Sequence, residues 1–295
     1  MNKKRTLVIF NPASRGEKSL RARRFVEAKA QDDPTVTLAP TERTGDAEQL
    51  AARAVTEGYE TIVAAGGDGT INEVINGIAE SKVTLGVLPV GTINVFALEL
   101  GIPFRLADAW ALLGTGQTRL IDLGCAESKG ARRRFAQLAG VGLDAVSVRH
   151  TNWELKKMIG PWSFIWAGLK TVALHRADVE VTSERSDQNK RGVLVLVGNG
   201  RLYGGRFPVF PNAKLDDGLL DVCIFESGGY GNVMRYVQGA WRGVHTGFRD
   251  VTYFQTAQFA CHASTAIPFE VDGEVAGEVP VRFSVLPRAL RVIAP

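Results

Sequence analysis

The residues best suited to chemistry in this 295-residue sequence are Gly66-Gly67-Asp68-Gly69-Thr70-Ile71-Asn72-Glu73. Glycines let a backbone approach a ligand closely, and their N–H groups, with a helix N-terminus, favour an anion. Asp68 sets a carboxylate where phosphates would sit. That is sensible if a divalent cation screens it, or if it orients a nucleotide. Two more segments offer polar groups among small residues. Asn11-Pro12-Ala13-Ser14-Arg15-Gly16 brings amide, hydroxyl and guanidinium groups, and Gly91-Thr92-Ile93-Asn94-Val95-Phe96-Ala97 brings a second amide. Each of these two, taken alone, reads more readily as a turn. The central segment also has a ligand-free reading: Thr70-Ile71-Asn72-Glu73 fits a capping box, with Glu73 structural. It is not a P-loop, because no Gly-Lys-Ser/Thr follows. It is not a dinucleotide fingerprint either, because Asn72 stands at the third glycine position after Gly67-x-Gly69.

The elements that must position these loops follow from periodicity. Thr61–Ala65 is a β-rich apolar run, expected as a buried strand, and Ile71, Val74, Ile75 and Ile78 have helical spacing. Thr6–Phe10 precedes the Asn11 loop and Leu85–Leu88 precedes the Gly91 loop, both as strands. A basic helix over about Ser19–Ala30, a strand at Val36–Leu38, and a helix begun by Thr44-Gly45-Asp46 with Ala47, Leu50, Ala51 and Ala54 on one face fill the intervals. Alternating strands and helices imply right-handed crossovers and a parallel sheet covered on both faces, with hairpin-based α+β as the alternative. All three loops then meet at the carboxyl edge of one sheet, a phosphate cleft in prospect.

After Asp122 the texture changes. Phe135–Ala139, Val179–Thr182, Val193–Val197, Leu219–Phe225, Ala266–Val271 and Val281–Leu286 read as strands. Turn residues separate them at Ser128–Gly130, Asp187–Asn189, Asp216–Gly218 and Asp272-Gly273. An antiparallel β-rich second domain is expected over 123–287, with 1–122 as the α/β domain and 288–295 returning to it. Thr151–Leu174 reads as a helix carrying Trp153, Lys156, Lys157, Trp162 and Trp166, either interfacial or a core helix with a charged outer face.

Composition bounds the rest. Apolar residues at 45% and charged residues at 22% exclude disorder, collagen and coiled coil. A net charge of +4 allows a preference for phosphate or anionic surfaces without implying nucleic-acid binding. Three scattered cysteines, Cys125, Cys223 and Cys261, argue against a disulfide framework and for a reducing cytoplasm. The start lacks a signal h-region and no long apolar run spans a bilayer, so a soluble chain touching membranes from the surface is expected. His150, His175, His245 and His262 lack metal-ligand spacing, and Arg132–Arg134 reads as a solvated strand end. Gly140–Ala145 fits a loose G-x-G-x-x-A pattern without the acid a dinucleotide site needs downstream.

Asn-Pro-x-Ser-x-Gly, Gly-Gly-Asp-Gly-Thr-x-Asn-Glu-Val-x-Asn-Gly and Gly-Thr-x-Asn-x-Phe-Ala, in this order, resemble the diacylglycerol kinase catalytic family, and within it the soluble bacterial lipid kinases. The resemblance implies ATP-dependent phosphoryl transfer to a lipid hydroxyl, Mg²⁺ dependence, and an N-terminal α/β domain followed by a C-terminal β-sandwich. It suggests nucleotide contacts at Asn11, Pro12, Ala13, Ser14, Arg15, Thr41, Gly66, Gly67, Asp68, Gly69, Thr70, Ile71, Asn72 and Thr92. Lys214-Leu215-Asp216-Asp217-Gly218-Leu219 resembles the family loop that holds a structural Mg²⁺, with the Asp217 carboxylate and the Lys214 and Leu219 carbonyls as ligands. A plain Asp-Gly hairpin turn is the alternative there. Glu274, after Asp272-Gly273, corresponds to the family's general base. Val95 stands where many members carry an acid, which would leave the catalytic cation to Asp68 and Asp122. The implied partner is a lipid at an anionic membrane surface, with a homodimer left open. A NAD kinase-like enzyme and a non-catalytic nucleotide-binding regulator are the competing readings.

Overall fold

The computed structural model describes residues 5–12, 17–142, 178–183 and 186–295. The chain divides into two compact units, Met1–Asp122 with Pro287–Pro295, and Leu123–Leu286.

Unit 1 is an α/β layer structure. Strands β1 (Thr6–Phe10), β2 (Val36–Pro40), β3 (Thr61–Gly66) and β4 (Thr84–Pro89) form a parallel sheet in the order β2-β1-β3-β4. The end of the last strand adds beside β4, with Arg291 opposite Thr84 and Val292 opposite Leu85. The register sets Phe10 beside Pro40 and Ala65, and Gly66 beside Pro89, so the strands finish at a common edge. Ile62, Val63, Ala64 and Ala65 are all buried, as a central parallel strand with both faces covered requires. Helices α1 (Glu17–Asp32), α2 (Asp46–Thr56), α3 (Asp68–Ile78), α4 (Val95–Glu99) and α5 (Leu106–Thr115) fill the crossovers. In α3 the residues Ile71, Val74, Ile75 and Ile78 are buried, and in α2 Ala47, Ala51 and Ala54 are, while Leu50 is half-buried. These two helices approach closely at Gly77, where an added Cβ would lie 2.5 Å from the Glu48 carbonyl oxygen.

Unit 2 is an antiparallel β-sandwich. One sheet runs β14 (Val251–Thr256), β13 (Leu220–Phe225), β10 (Leu194–Gly198), β7 (Leu138–Gly142), β16 (Pro268–Val271), β17 (Glu274–Glu278). The other contains β15 (Gln258–His262) and β8 (Val179–Ser183) with β9 (Ser186–Gly192) and the first residues of β18 (Val281–Ala294). A hairpin of β5 (Gln117–Ser128) and β6 (Ala131–Phe135) joins it through β18, and β11 (Leu202–Tyr203) pairs with β12 (Phe207–Pro208) as a separate ribbon. The core includes Val141, Val195, Val222, Phe259, Phe269 and Phe283. Helix α6 (Tyr230–Arg242) covers the outer face of the first sheet through Tyr236 and Ala240, against Phe225 and Leu196.

Several expectations for unit 2 need correction. Phe135–Ala139 is not one strand. The ladder breaks between β6 and β7, where the N–H groups of Ala136, Gln137 and Leu138 donate to the Asp272 carboxylate instead of a neighbouring strand. Asp187–Asn189 is not a turn, because β9 runs through it, with Lys190 opposite Val181 and Ser186 opposite Ser183. Helix α6 and strands β14 and β15 carry weak signals: Gly231 and Gly239 interrupt the helical pattern, and the segment 251–262 lacks turn residues to divide it. The Thr151–Leu174 helix, with Trp153, Trp162 and Trp166, lies outside the described residues, as do His150 and His175.

Candidate active site

At the carboxyl edge of the unit 1 sheet the segments after β1, β3 and β4 contact one another. Strand β3 ends at Gly66, and Gly67, in extended conformation, caps α3. The Gly66 carbonyl accepts the N–H groups of Val90 (3.0 Å) and Gly91 (3.1 Å), fastening the loop after β4 to the loop after β3. The two backbones nearly touch: a Cβ on Gly91 would lie 2.5 Å from the Gly67 Cα, so no larger residue fits. Asn11, after β1, donates from its amide to the Thr70 hydroxyl at 3.2 Å and from its backbone to the Ala65 carbonyl at 3.3 Å. Thr41, after β2, is buried and donates its N–H to the Phe10 carbonyl at 2.9 Å.

Asp68 reaches across this cluster. The Phe96 N–H donates to its carboxylate at 3.3 Å, and the N–H groups of Asn94 and Val95 also face it. Burial, the largest influence, pushes the carboxyl above its ordinary range, against the pull of those N–H groups towards the ionised form. The carboxylate thus clamps the start of α4 to the start of α3. Asn94, fully buried, sits in the left-handed region at φ 55° and donates its side-chain amide to the Gly91 carbonyl at 3.0 Å. Its Oδ1 is buried without a hydrogen-bond partner. Such an oxygen costs about 1–3 kcal/mol, a penalty that a bound donor or cation removes.

Gly69 and Asn72 are half-buried at the start of α3, Thr92 and Pro12 are exposed, and Ile71 points into the core, leaving only its backbone for a ligand. Ala13, Ser14 and Arg15 lie outside the described residues. Glu73 is structural, but not as a capping box: its two carboxylate oxygens accept the N–H groups of Gly45 (2.9 Å) and Ala47 (3.1 Å) at the start of α2. No side chain caps α3 itself. Asp122 is buried, and its Oδ1 accepts the Arg288 N–H at 2.7 Å, at a backbone kink where Arg288 has φ 54°.

In unit 2, Asp272-Gly273 forms the two-residue turn between β16 and β17, with φ 45° and 86° as a type I′ turn needs. Glu274 follows it, exposed, in register with Val271. The sequence reading missed what Asp272 does. Its carboxylate accepts three successive backbone N–H groups, Ala136 (2.8 Å), Gln137 (3.0 Å) and Leu138 (3.0 Å). An Asp-Gly pair predicts the turn, but its partners are some 135 residues away, and no local signal could find them.

Asp217-Gly218 is not a hairpin turn: it lies in the loop before β13 with no paired strand on its other side. The exposed Asp217 carboxylate accepts the Leu219 N–H at 3.0 Å, and Lys214 is exposed beside it in sequence. Among the described residues, no group of three or more His, Cys, Asp or Glu side chains is placed to hold a metal. Gly140–Gly142 belong to β7, paired on both sides, which removes the strand-turn-helix a dinucleotide fingerprint requires. His245 is buried with Nε2 at 2.8 Å from the Val209 carbonyl. A cavity of about 520 Å³ in unit 2, lined by Lys129, Arg132, His262 and Arg282 among others, contains none of the candidate residues.

Comparison with known proteins meets this geometry. The family model described as diacylglycerol kinase catalytic domain matches residues 5–126. That described as YegS C-terminal NAD kinase beta sandwich-like domain matches residues 137–294. A protein named diacylglycerol kinase from Staphylococcus saprophyticus is 33% identical over 99% of this chain and 96% of its own. One of the same name from Staphylococcus aureus is 33% identical over 99% of this chain and 93% of its own. The crystal structure of a diacylglycerol kinase from Bacillus anthracis superposes with a TM-score of 0.79 at 25% identity, covering 100% of this chain and 98% of that one. The chain belongs to the diacylglycerol kinase family.

Proposed function

We propose that this member of the diacylglycerol kinase family transfers the γ-phosphate of ATP to the hydroxyl of a lipid, with diacylglycerol the favoured acceptor. The observation that carries the reading is the meeting of the Gly66–Asn72 and Gly91–Asn94 loops around the Asp68 carboxylate. Phosphoryl transfer depends on positioning and charge neutralisation more than on covalent chemistry by the protein. The backbone N–H groups opening α3 are suited to hold phosphate oxygens, with Asn11, Thr41 and Thr92 at the same edge. Mg²⁺ entering with ATP would supply neutralisation of the phosphate charge. Asp68 and the unpartnered Asn94 Oδ1 are hard oxygen donors of the kind that ion takes, which fits its presence here although Val95 supplies no acid. In unit 2, the exposed Asp217 carboxylate and the Lys214 and Leu219 carbonyls are oxygen donors of the kind that would hold a structural Mg²⁺. Glu274 is assigned as general base. It takes the proton as the acceptor oxygen bonds to the γ-phosphorus and ADP leaves. In this reading unit 1 binds nucleotide and unit 2 receives the lipid, in the cytoplasm.

The test is incubation of the purified chain with γ-labelled ATP and Mg²⁺, offering diacylglycerol in mixed micelles and NAD in parallel. Label in phosphatidic acid is expected. Label in NAD phosphate would replace this reading with the soluble-acceptor enzyme. ATP binding with no acceptor labelled would select the non-catalytic regulator.

A further inference from the structure

The break between β6 and β7 buries Ala136, Gln137 and Leu138, whose backbone polar groups must therefore find partners within the protein. The partners come from two opposite directions. The three N–H groups go to the Asp272 carboxylate, and the Leu138 carbonyl accepts the Asp272 N–H at 2.9 Å. The other two carbonyls turn towards the end of β10. That of Gln137 accepts the N–H groups of Asn199 (2.9 Å) and Gly200 (3.0 Å). That of Ala136 accepts the Asn199 side-chain amide at 2.8 Å. Asn199 is fully buried, and its neutral amide gives a buried carbonyl a donor without burying a charge.

Residues 136–138 are thus a spacer, pinned by Asp272 on one side and by Asn199 on the other. The sheet register carries the same alignment, with Gly198 opposite Leu138 and Ala139 opposite Val271. Glu274 stands two residues beyond Asp272, across a turn whose Gly273 N–H donates to the buried Glu270 carboxylate at 2.6 Å. A turn fastened at Asp272 sits where the spacer puts it. A general base must lie within hydrogen-bond reach of the hydroxyl it deprotonates, and a displacement of about 1 Å costs on the order of 10²-fold in rate.

We infer that Asn199 is a positioning residue for Glu274: by holding Ala136–Leu138 in place, it sets the turn from which Glu274 reaches the acceptor hydroxyl. The inference rests on the assignment of Glu274 as general base. Asn199→Ala is expected to lower kcat for lipid phosphorylation about tenfold, with KM for ATP unchanged. Asn199→Asp keeps the shape but has no N–H to offer the Ala136 carbonyl, and should fall as far. Should either fail to fold by circular dichroism, Asn199→Ser is measured in its place. The same substitution in a Glu274→Gln background tests the route. There it should lower kcat little further, because the base is already gone, while amide hydrogen exchange at 136–138 and Asp272 quickens in both backgrounds. A residue that only supports the fold would lower kcat by the same factor in both. That outcome would overturn the inference, as would full kcat in the Asn199 variants or exchange no faster than in the wild type, and all three leave the base assignment standing. Undiminished kcat in Glu274→Gln alone would overturn the base assignment and this inference together.

Discussion

Asp68-Gly69 in unit 1 and Asp272-Gly273 in unit 2 solve the same mechanical problem with different consequences. Asp68-Gly69 opens α3 and Asp272-Gly273 turns β16 into β17, yet each carboxylate crosses to a remote stretch of backbone: Asp68 accepts the Phe96 N–H, with those of Asn94 and Val95 facing it, and Asp272 accepts three in a row, those of 136–138. At Asp272 the bonds are 2.8–3.0 Å and span two strand ends that would otherwise leave donors unpaired. At Asp68 the bond to Phe96 is longer, 3.3 Å, and burial raises the carboxyl's pKa in spite of its donors. The Asn94 side-chain oxygen, at the start of the same α4, is buried without a hydrogen-bond partner. One clamp closes a structural gap; the other is the one the proposed reading puts to use, with a charged ligand as its further partner.

Substitutions can separate the two clamps. The largest effect is expected at Asp68. Asp68→Ala should lower γ-phosphate transfer by about 10³-fold or more. Asp68→Asn, which keeps an oxygen for the N–H groups but removes the charge, decides why. Activity restored by Asn would reduce Asp68 to a clamp like Asp272, whereas continued loss with an intact fold by circular dichroism would separate them.

Next comes Glu274→Gln, with kcat down by about 10²–10³-fold and ATP affinity unchanged by calorimetry. A matching loss of ATP affinity would make Glu274 a ligand. Asp272→Ala should cost about 2–4 kcal/mol in denaturant unfolding, because three N–H groups lose a charged acceptor. It should lower kcat as well, through misplacement of the adjacent Glu274. Unchanged stability would show that water replaces the carboxylate, and the resemblance between the clamps would be cosmetic.

The smallest effect is expected at Glu73. Glu73→Ala removes the acceptor at the start of α2 and should cost about 1 kcal/mol, read as a lowered thermal midpoint with kcat nearly unaltered. A large loss of kcat would move Glu73 from scaffold to site.

The layered order of unit 1 is legible in the residues alone, because parallel strands buried on both faces must read as short apolar runs, and each is followed by a loop rich in glycine or polar residues. The Asp272-Gly273 turn is legible in the same way, since a type I′ hairpin needs two positive φ values and few residues supply them. The partners of the carboxylates were decided elsewhere. Glu73 reads locally as the cap of its own helix and in fact serves α2, through Gly45 and Ala47. Asp272 reads as a turn residue and holds a strand break more than a hundred positions away. Helix α6 likewise carries apolar residues on more than one side, and only the packing of Tyr236 and Ala240 fixes that Met234 and Trp241 face out. Periodicity and turn chemistry act within a few residues along the chain. Which donor a carboxylate meets, and which apolar face is left over, depend on segments brought together only when the sheets close.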